Sequence, residues 1–300
     1  MSTPSDAVIV WGEVLWDRFL GPSGDRDDAE LGGAPANVAW HLGLAGGWPR
    51  LVSRVGDDEA GRRALARLGE IIDVSLVQVD RERATGEVEI RIDRGEPRYT
   101  LVPGRAWERI ALTEAARAAI AEAGVIVFGT LAQRAADGFA SWRAAIDGAR
   151  GLKVCDVNLR AGDRDAPHVR AALDTADVLK LNDRELATLR DWLGWVDPIA
   201  ELRKRPRIVA VTHGAAGSTL FGAAPNGRTI EIPGERATGA GDNIGCGDAY
   251  LAILVHGLTL GWDLATCGRA ASRWAAAVAG VRGATPWFSE DQVEDLLEAA

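Results

Sequence analysis

Short, mostly apolar runs recur along the chain, separated by segments with helical spacing. The runs at 7–11, 51–55, 125–128, 152–157, 178–181 and 208–212 carry few polar positions. Strands buried on both faces read this way. Helix-period segments lie between them at 139–149, 169–173 and 185–193. Two more run through Ala64, Leu65 and Leu68, and through Val38, Ala39, Leu42 and Leu44. This alternation predicts an α/β fold, a mostly parallel sheet with helices on both faces. In such a sheet, ligands bind at the carboxyl ends of the strands.

One segment breaks the rhythm. At 85–92, Val88, Ile90 and Ile92 alternate with Glu87, Glu89 and Arg91, as in a strand with one solvated face. A turn at 93–96 and a return at 98–102 complete a hairpin, predicted to belong to a small sheet covering one edge of the domain, a candidate lid. The Gly/Asp-rich stretch after Asp17 reads as a turn. No repeat, low-complexity tract or linker divides residues 1–300, so a single domain is expected.

The densest chemistry lies in DNIGCGDAYLAILVHG, which starts at Asp242. Gly245 and Gly247 permit a turn whose N–H groups point into one concavity at the positive end of a helix, a site that attracts phosphate. Asp248, at the join, is placed to take a proton from an attacking hydroxyl. Gly239-Ala240-Gly241-Asp242 is a near copy. The two glycines that follow Asp242 cost roughly 1 kcal/mol each in a helix interior, whereas the residues after Asp248 form helix readily, so Asp248 is placed ahead of Asp242. The structural alternative is a glycine-rich loop ending at an Asp N-cap.

Other polar groups fall at predicted strand ends or helix starts. Gly32 and Gly33 enter the helix that carries Asn37, whose amide both donates and accepts. Asp156, Asn158 and Arg160 follow one strand, Asn182 and Glu185 another, Thr212 and Gly214 a third. Each has a plain reading as well: Asn182 with Glu185 matches a capping box, and Arg160 can pair with Asp163 or Asp165 on the surface. His41, His168, His213 and His256 lack ligand-like spacing, and the eleven tryptophans read as packing and lid residues.

Composition narrows the field. The 300 residues are 47% hydrophobic, enough for a large core, and 43 acidic against 34 basic residues give a net charge of −9. No basic stripe is present, so nucleic acid is not expected as a partner. Three cysteines without C-x-x-C spacing point to neither a disulfide framework nor zinc. No basic leader and no run of about 20 apolar residues stands out, and a reducing cytoplasm is expected.

Together the motifs resemble the ribokinase-like (PfkB) carbohydrate kinases, in particular bacterial fructokinase-like members. GEVLWD from Gly12, LGGAPANVAWHL from Leu31 and SRVGDDEAG from Ser53 resemble the family's N-terminal signature. Thr85-Gly86 and Ala106-Trp107 resemble its lid, followed in order by FGTLAQR, DVNLR, KLNDREL, VTHGAAGS, DNIGCGDAY and RGATP. The resemblance implies a three-layer αβα sandwich with a lid from segments of about 13–32 and 85–105. It implies transfer of the γ-phosphoryl of ATP to a sugar hydroxyl, fructose leading, with ribose, 2-keto-3-deoxygluconate and adenosine as alternatives. Asp17, Gly32, Gly33 and Asn37 match sugar-binding positions, and Arg160 a residue near substrate and transferring phosphate. Asn182 and Glu185 match the motif that holds Mg2+ mostly through water. Thr212, Gly214 and Gly217 lie where the nucleotide loop approaches ATP, and Ser272 stands near the adenine. Gly245, Cys246 and Gly247 match the anion hole, and Asp248 the catalytic base. A homodimer through the lid is also implied; K+ activation stays open.

The chain departs from the family pattern where Asn243, Ile244 and Cys246 replace the usual Thr, variable and Ala positions, and in its extra turn at 238–241. The lost threonine motivates a rival reading as a weakly catalytic sugar- or nucleotide-binding regulator. A nicotinamide-binding Rossmann enzyme is disfavoured, because no G-x-G-x-x-G follows Trp11.

Overall fold

The computed structural model describes residues 7–20, 26–93, 96–160, 162–164, 166–205, 207–223 and 227–298. The chain runs β1 (Val8–Trp11), β2 (Leu15–Leu20), β3 (Arg26–Gly32), α1 (Ala34–Leu44), β4 (Arg50–Gly56), α2 (Glu59–Leu68), β5 (Val77–Asp80), β6 (Gly86–Asp93) and β7 (Glu96–Leu101). It continues through α3 (Glu114–Glu122), β8 (Val125–Phe128), α4 (Ala136–Gly148), β9 (Leu152–Asp156), α5 (Pro167–Thr175), β10 (Val178–Asn182), α6 (Asp183–Leu193) and α7 (Pro198–Leu202). The last elements are β11 (Ile208–Thr212), β12 (Gly217–Phe221), β13 (Thr229–Pro233), α8 (Cys246–Thr259), α9 (Leu264–Ala279) and α10 (Glu290–Glu298).

Among the described residues, nine strands form one sheet in the order β13-β12-β11-β10-β9-β8-β1-β4-β5. All neighbours are parallel except at the β11–β12–β13 edge, which is antiparallel. Successive residues of β1 face opposite layers. Val8 and Val10 pack with α1, α2, α8 and α9, while Ile9 and Trp11 pack with α3 to α7. This is the expected three-layer sandwich, and the unbroken apolar runs are the strands covered on both faces. Side-chain caps fix several helix starts: Asp58 accepts from Gly61 N–H for α2, Thr113 from Ala116 for α3, and Asp263 from Ala265 and Thr266 for α9. No described helix is long and apolar enough to cross a membrane.

A second sheet has the order β3-β2-β6-β7. The predicted hairpin is present as antiparallel β6 and β7, with Val88 opposite Leu101; its tip at 94–95 lies outside the described residues. Two expectations are corrected here. The stretch after Asp17 is not simply a turn: β2 and β3 pair antiparallel, with Asp17 opposite Glu30, and only 21–25 lie outside the described residues. Its charged composition hides the strand period. Glu87, expected on the wet face, is 6% exposed, because Arg18 at 3.1 Å and Arg105 at 3.4 Å cover and neutralise it.

Three residues join β1 to β2, and Gly33 alone joins β3 to α1. Connections this short anchor the small sheet at the carboxyl ends of the main strands, where Asp156, Asn182 and Thr212 also end β9, β10 and β11.

Candidate active site

Helix α8 opens on the glycine-rich turn. Gly245 is its N-cap in left-handed backbone (φ 77°), and a Cβ there would sit 2.6 Å from that of Ala284, so both angle and space require glycine. The helix begins at Cys246, so Asp248 is its third residue and not an N-cap. N–H groups at such a start have no intrahelical acceptor and lie at the positive end of the dipole. Asp248 is buried, and its Oδ2 accepts from Asn37 Nδ2 at 2.8 Å. Burial pushes its carboxyl up to about 7; Asp156 adds to the rise, while Lys180, Asn37 and Arg160 oppose it. Burial also lifts the Cys246 thiol to about 11, so it is neutral at pH 7.

Asp242 is occupied by its own turn. Its oxygens accept from Ile244 N–H at 3.0 Å and Gly283 N–H at 3.2 Å. A Cβ on Gly239 or Gly241 would collide with the carbonyls of Gly280 and Val281, so the extra glycine turn has a packing reason.

The other wall is built from the β1–β2 link and the start of α1. A Cβ on Gly32 would lie 2.5 Å from Asp17 Oδ2, and one on Gly33 (φ 103°) 2.5 Å from the Glu13 carbonyl. The paired glycines let α1 and β3 close on Asp17 and Glu13, which brings Asn37, one turn into α1, against Asp248. Burial pushes Asp17 up to about 6, opposed by Arg160 and assisted by Glu30.

Arg160 follows a left-handed turn at Asn158 (φ 37°) and is exposed. It does not pair its guanidinium with Asp163. That carboxylate is held by Arg134 at 2.7 Å and takes Arg160's backbone N–H at 2.6 Å; Asp165 lies outside the described residues. The Arg160 charge instead favours ionisation of Glu13, Asp17 and Asp248.

Along the sheet edge, Asn182 and Thr212 are register partners. The capping box is formed in both directions: Asn182 Oδ1 accepts from Glu185 N–H at 3.0 Å, and Glu185 Oε2 from Asn182 N–H at 2.8 Å. Glu185 Oε1 accepts from Leu159 N–H at 2.9 Å, so each carboxylate oxygen keeps one lone pair for another partner. Among the described residues no three metal-binding side chains cluster. Such a donor set fits a strongly hydrated divalent ion held through water and does not fit a direct cage.

Gly214 (φ 59°) and Gly217 (φ 103°) shape the turn from β11 into β12. His213 ties that turn to α6, meeting Asp183 at 2.7 Å and Thr219 at 2.8 Å. Ser272 is buried in α9, with its hydroxyl 3.4 Å from the Pro233 carbonyl of β13.

The pattern of the pfkB family carbohydrate kinases matches residues 23–291. The chain belongs to that family. This pfkB kinase is 31% identical to the fructokinase of Klebsiella pneumoniae over 264 residues, covering 84% of each chain. It is also 31% identical over 305 residues to the ATP-dependent ribose-1-phosphate kinase of Halopiger xanaduensis, covering 97% of each. Its structure superposes on an uncharacterized sugar kinase of Pyrococcus horikoshii in complex with ATP with TM-score 0.84 and 25% identity, over 96% of this chain and 97% of the other. The fold is ribokinase-like, and the chain is a phosphotransferase that acts on a sugar.

Two further charged groups in this pfkB kinase, not singled out by sequence reasoning, belong to the site. Lys180 is buried in β10 with Nζ 3.1 and 3.0 Å from the two Asp156 oxygens. A lone lysine in the apolar run Val178–Asn182 was the available signal, since a buried cation needs a partner. Glu13 is 2% exposed with Oε2 unpartnered. A charge just after a buried strand, in a link of three residues, was its signal.

Proposed function

We propose that this pfkB kinase transfers the γ-phosphoryl group of ATP to a hydroxyl of an uncharged sugar, D-fructose leading, to give fructose 6-phosphate. The observation that carries this reading is the meeting of Asn37 and Asp248 at the opening of α8. Asp248 removes the proton of the attacking hydroxyl as its oxygen bonds to the γ-phosphorus and the bond to ADP breaks. The amides of Gly245, Cys246 and Gly247 stabilise the charge on the transferring group. Asp17, Gly32, Gly33 and Asn37 orient the sugar, and Arg160 attracts the phosphoryl. Thr212, Gly214, Gly217 and Ser272 serve the nucleotide. Magnesium, held through water by Asn182 and Glu185, offsets charge on the phosphates. Segments 13–32 and 85–105 close as a lid and exclude water. A cytoplasmic homodimer joined through the small sheets belongs to the same reading.

The electrostatics of the acceptor end favour an uncharged sugar. Glu13, Asp17, Glu30 and Asp248 gather there, and burial already raises Glu13 and Asp17. A carboxylate or phosphate on the acceptor would add repulsion against these four carboxyl groups, offset in part by Arg160, by Lys180 beside Asp248 and by Arg282, which meets Glu30 at 3.1 Å. The test is ADP release with ATP and magnesium across fructose, ribose, mannose, glucose, inositol and adenosine, with 2-keto-3-deoxygluconate and ribose 1-phosphate as charged acceptors. Release with fructose alone supports the full reading. Preference for a charged acceptor overturns the uncharged-sugar assignment, and silence across the panel overturns the acceptor class.

A further inference from the structure

Lys180 occupies a costly place. It is a cation in an apolar strand of a sheet covered on both faces, with its side chain 7% exposed. Its register partner across β9 and β10 is Asp156, whose two oxygens it binds. A hydrophobic pair of similar volume in such a position is often neutral or stabilising, so stability alone is a poor reason for burying these charges. Their location supplies another. A Cβ built on Gly247 would lie 2.7 Å from Lys180 Nζ, so the ammonium presses against the first turn of α8, one residue before Asp248.

We propose that Lys180, clamped by Asp156, is a positioning residue for phosphoryl transfer: it fixes a positive charge against Gly247, next to the Asp248 carboxylate. This rests on Asp248 as the base. The groups facing Asp248 are Asn37 from α1, Asp156 and Arg160 from β9 and its loop, and Lys180 from β10, with Cys246 on its own turn. Asp156 disfavours the ionised form and Lys180 favours it, while Asp156, Asp248 and Glu185 all act on Lys180. One cation thus serves three carboxylates at the sheet edge, and removing it leaves Asp248 beside Asp156 with the exposed Arg160 as its remaining counter-charge.

The test is the pH dependence of kcat/KM, which reports ionisations of the free enzyme, measured with melting temperatures for Lys180→Met, Lys180→Arg, Asp156→Asn and the double variant Lys180→Met/Asp156→Asn. Lys180→Met should move the ascending limb up by about one pH unit or more, with at least a roughly tenfold loss of rate below the limb. Lys180→Arg should keep the wild-type position. Asp156→Asn should move the limb down, and the double variant should return near wild type, because the two charges act in opposite senses. A lowered melting temperature and a uniform rate loss with the limb unmoved would reduce Lys180 to a structural residue and overturn the proposal. If Lys180→Met does not fold, Asp156→Asn decides, and an unmoved limb there overturns it equally. Asp248→Asn separates the two readings: retained activity removes the base, whereas lost activity with unmoved limbs elsewhere removes only the role of Lys180.

Discussion

Asn37 Nδ2 donates to Asp248 Oδ2 at 2.8 Å, joining the first turns of two helices whose residues stand 211 positions apart. Each helix enters through a glycine with positive φ, Gly33 before α1 and Gly245 before α8. Positive helix ends therefore converge on one carboxylate, which can accept a proton while its orientation stays fixed by the amide. Asp248→Asn should lower kcat by about 10²- to 10⁴-fold and leave the sugar KM within a few fold. Near-normal turnover, or a comparable loss from Asp242→Asn, would remove Asp248 from its role.

The rate should also rise with pH. Asp248, at about 7, acts only when ionised, and Asp17, at about 6, receives sugar hydroxyls best when ionised. The kcat/KM profile is expected to climb through pH 6–7, and Asp17→Asn should raise the sugar KM and remove the lower of the two ionisations. A profile already flat at pH 5 would contradict both.

The same residue opposes stability. The folded-state value of Asp248, about 7, lies above the ordinary aspartate value of 3.8, so between these pH values the folded chain keeps a proton that the unfolded chain loses. Its contribution is complete below 3.8 and lost as pH rises through about 7. Asp248→Asn should therefore be more stable than wild type at pH 8, on the order of 2–4 kcal/mol, with the gain vanishing near pH 4. Equal melting temperatures at both pH values would mean that the carboxylate is not strained by burial.

Much of this is legible in the sequence itself. The six apolar runs are strands of the main sheet because burial on both faces leaves no reason for polar positions, and the glycine turn before α8 stood out because few other sequences give that backbone. Strands β2 and β3 of the small sheet are hidden by charges such as Asp17, Arg18 and Glu30, which mask the strand period. The sequence pattern likewise does not announce β5, the antiparallel strands β12 and β13, or the helices α3, α7, α9 and α10. Lys180 and Glu13 are not legible from spacing, which carries no information about a partner on another strand. The Asn182–Glu185 pair shows the reverse limit: the capping box is real, and the residues still have lone pairs to offer a hydrated ion.

His41 is an internal prop for the turn that Gly245 requires. Trp274 Nε1 donates to its Nδ1 at 3.1 Å, so Nε2 carries the proton and donates to the Ala284 carbonyl at 3.0 Å, beside the place where a Cβ on Gly245 would clash. Both nitrogens are used by the neutral ring, and burial pulls its pKa from 6.5 down to about 4. Between those values the unfolded chain binds a proton that the folded chain refuses, so the contribution is full above pH 6.5 and declines as pH falls through about 4. His41→Gln should be less stable than wild type at pH 7.5, and the gap should narrow by about 3 kcal/mol by pH 4. Unfolding by denaturant at several pH values measures it. A gap that stays constant across that range would mean that the ring is protonated in the folded protein or solvated in it, and the hydrogen-bond chain from Trp274 to Ala284 would then not hold the turn in the way its geometry implies.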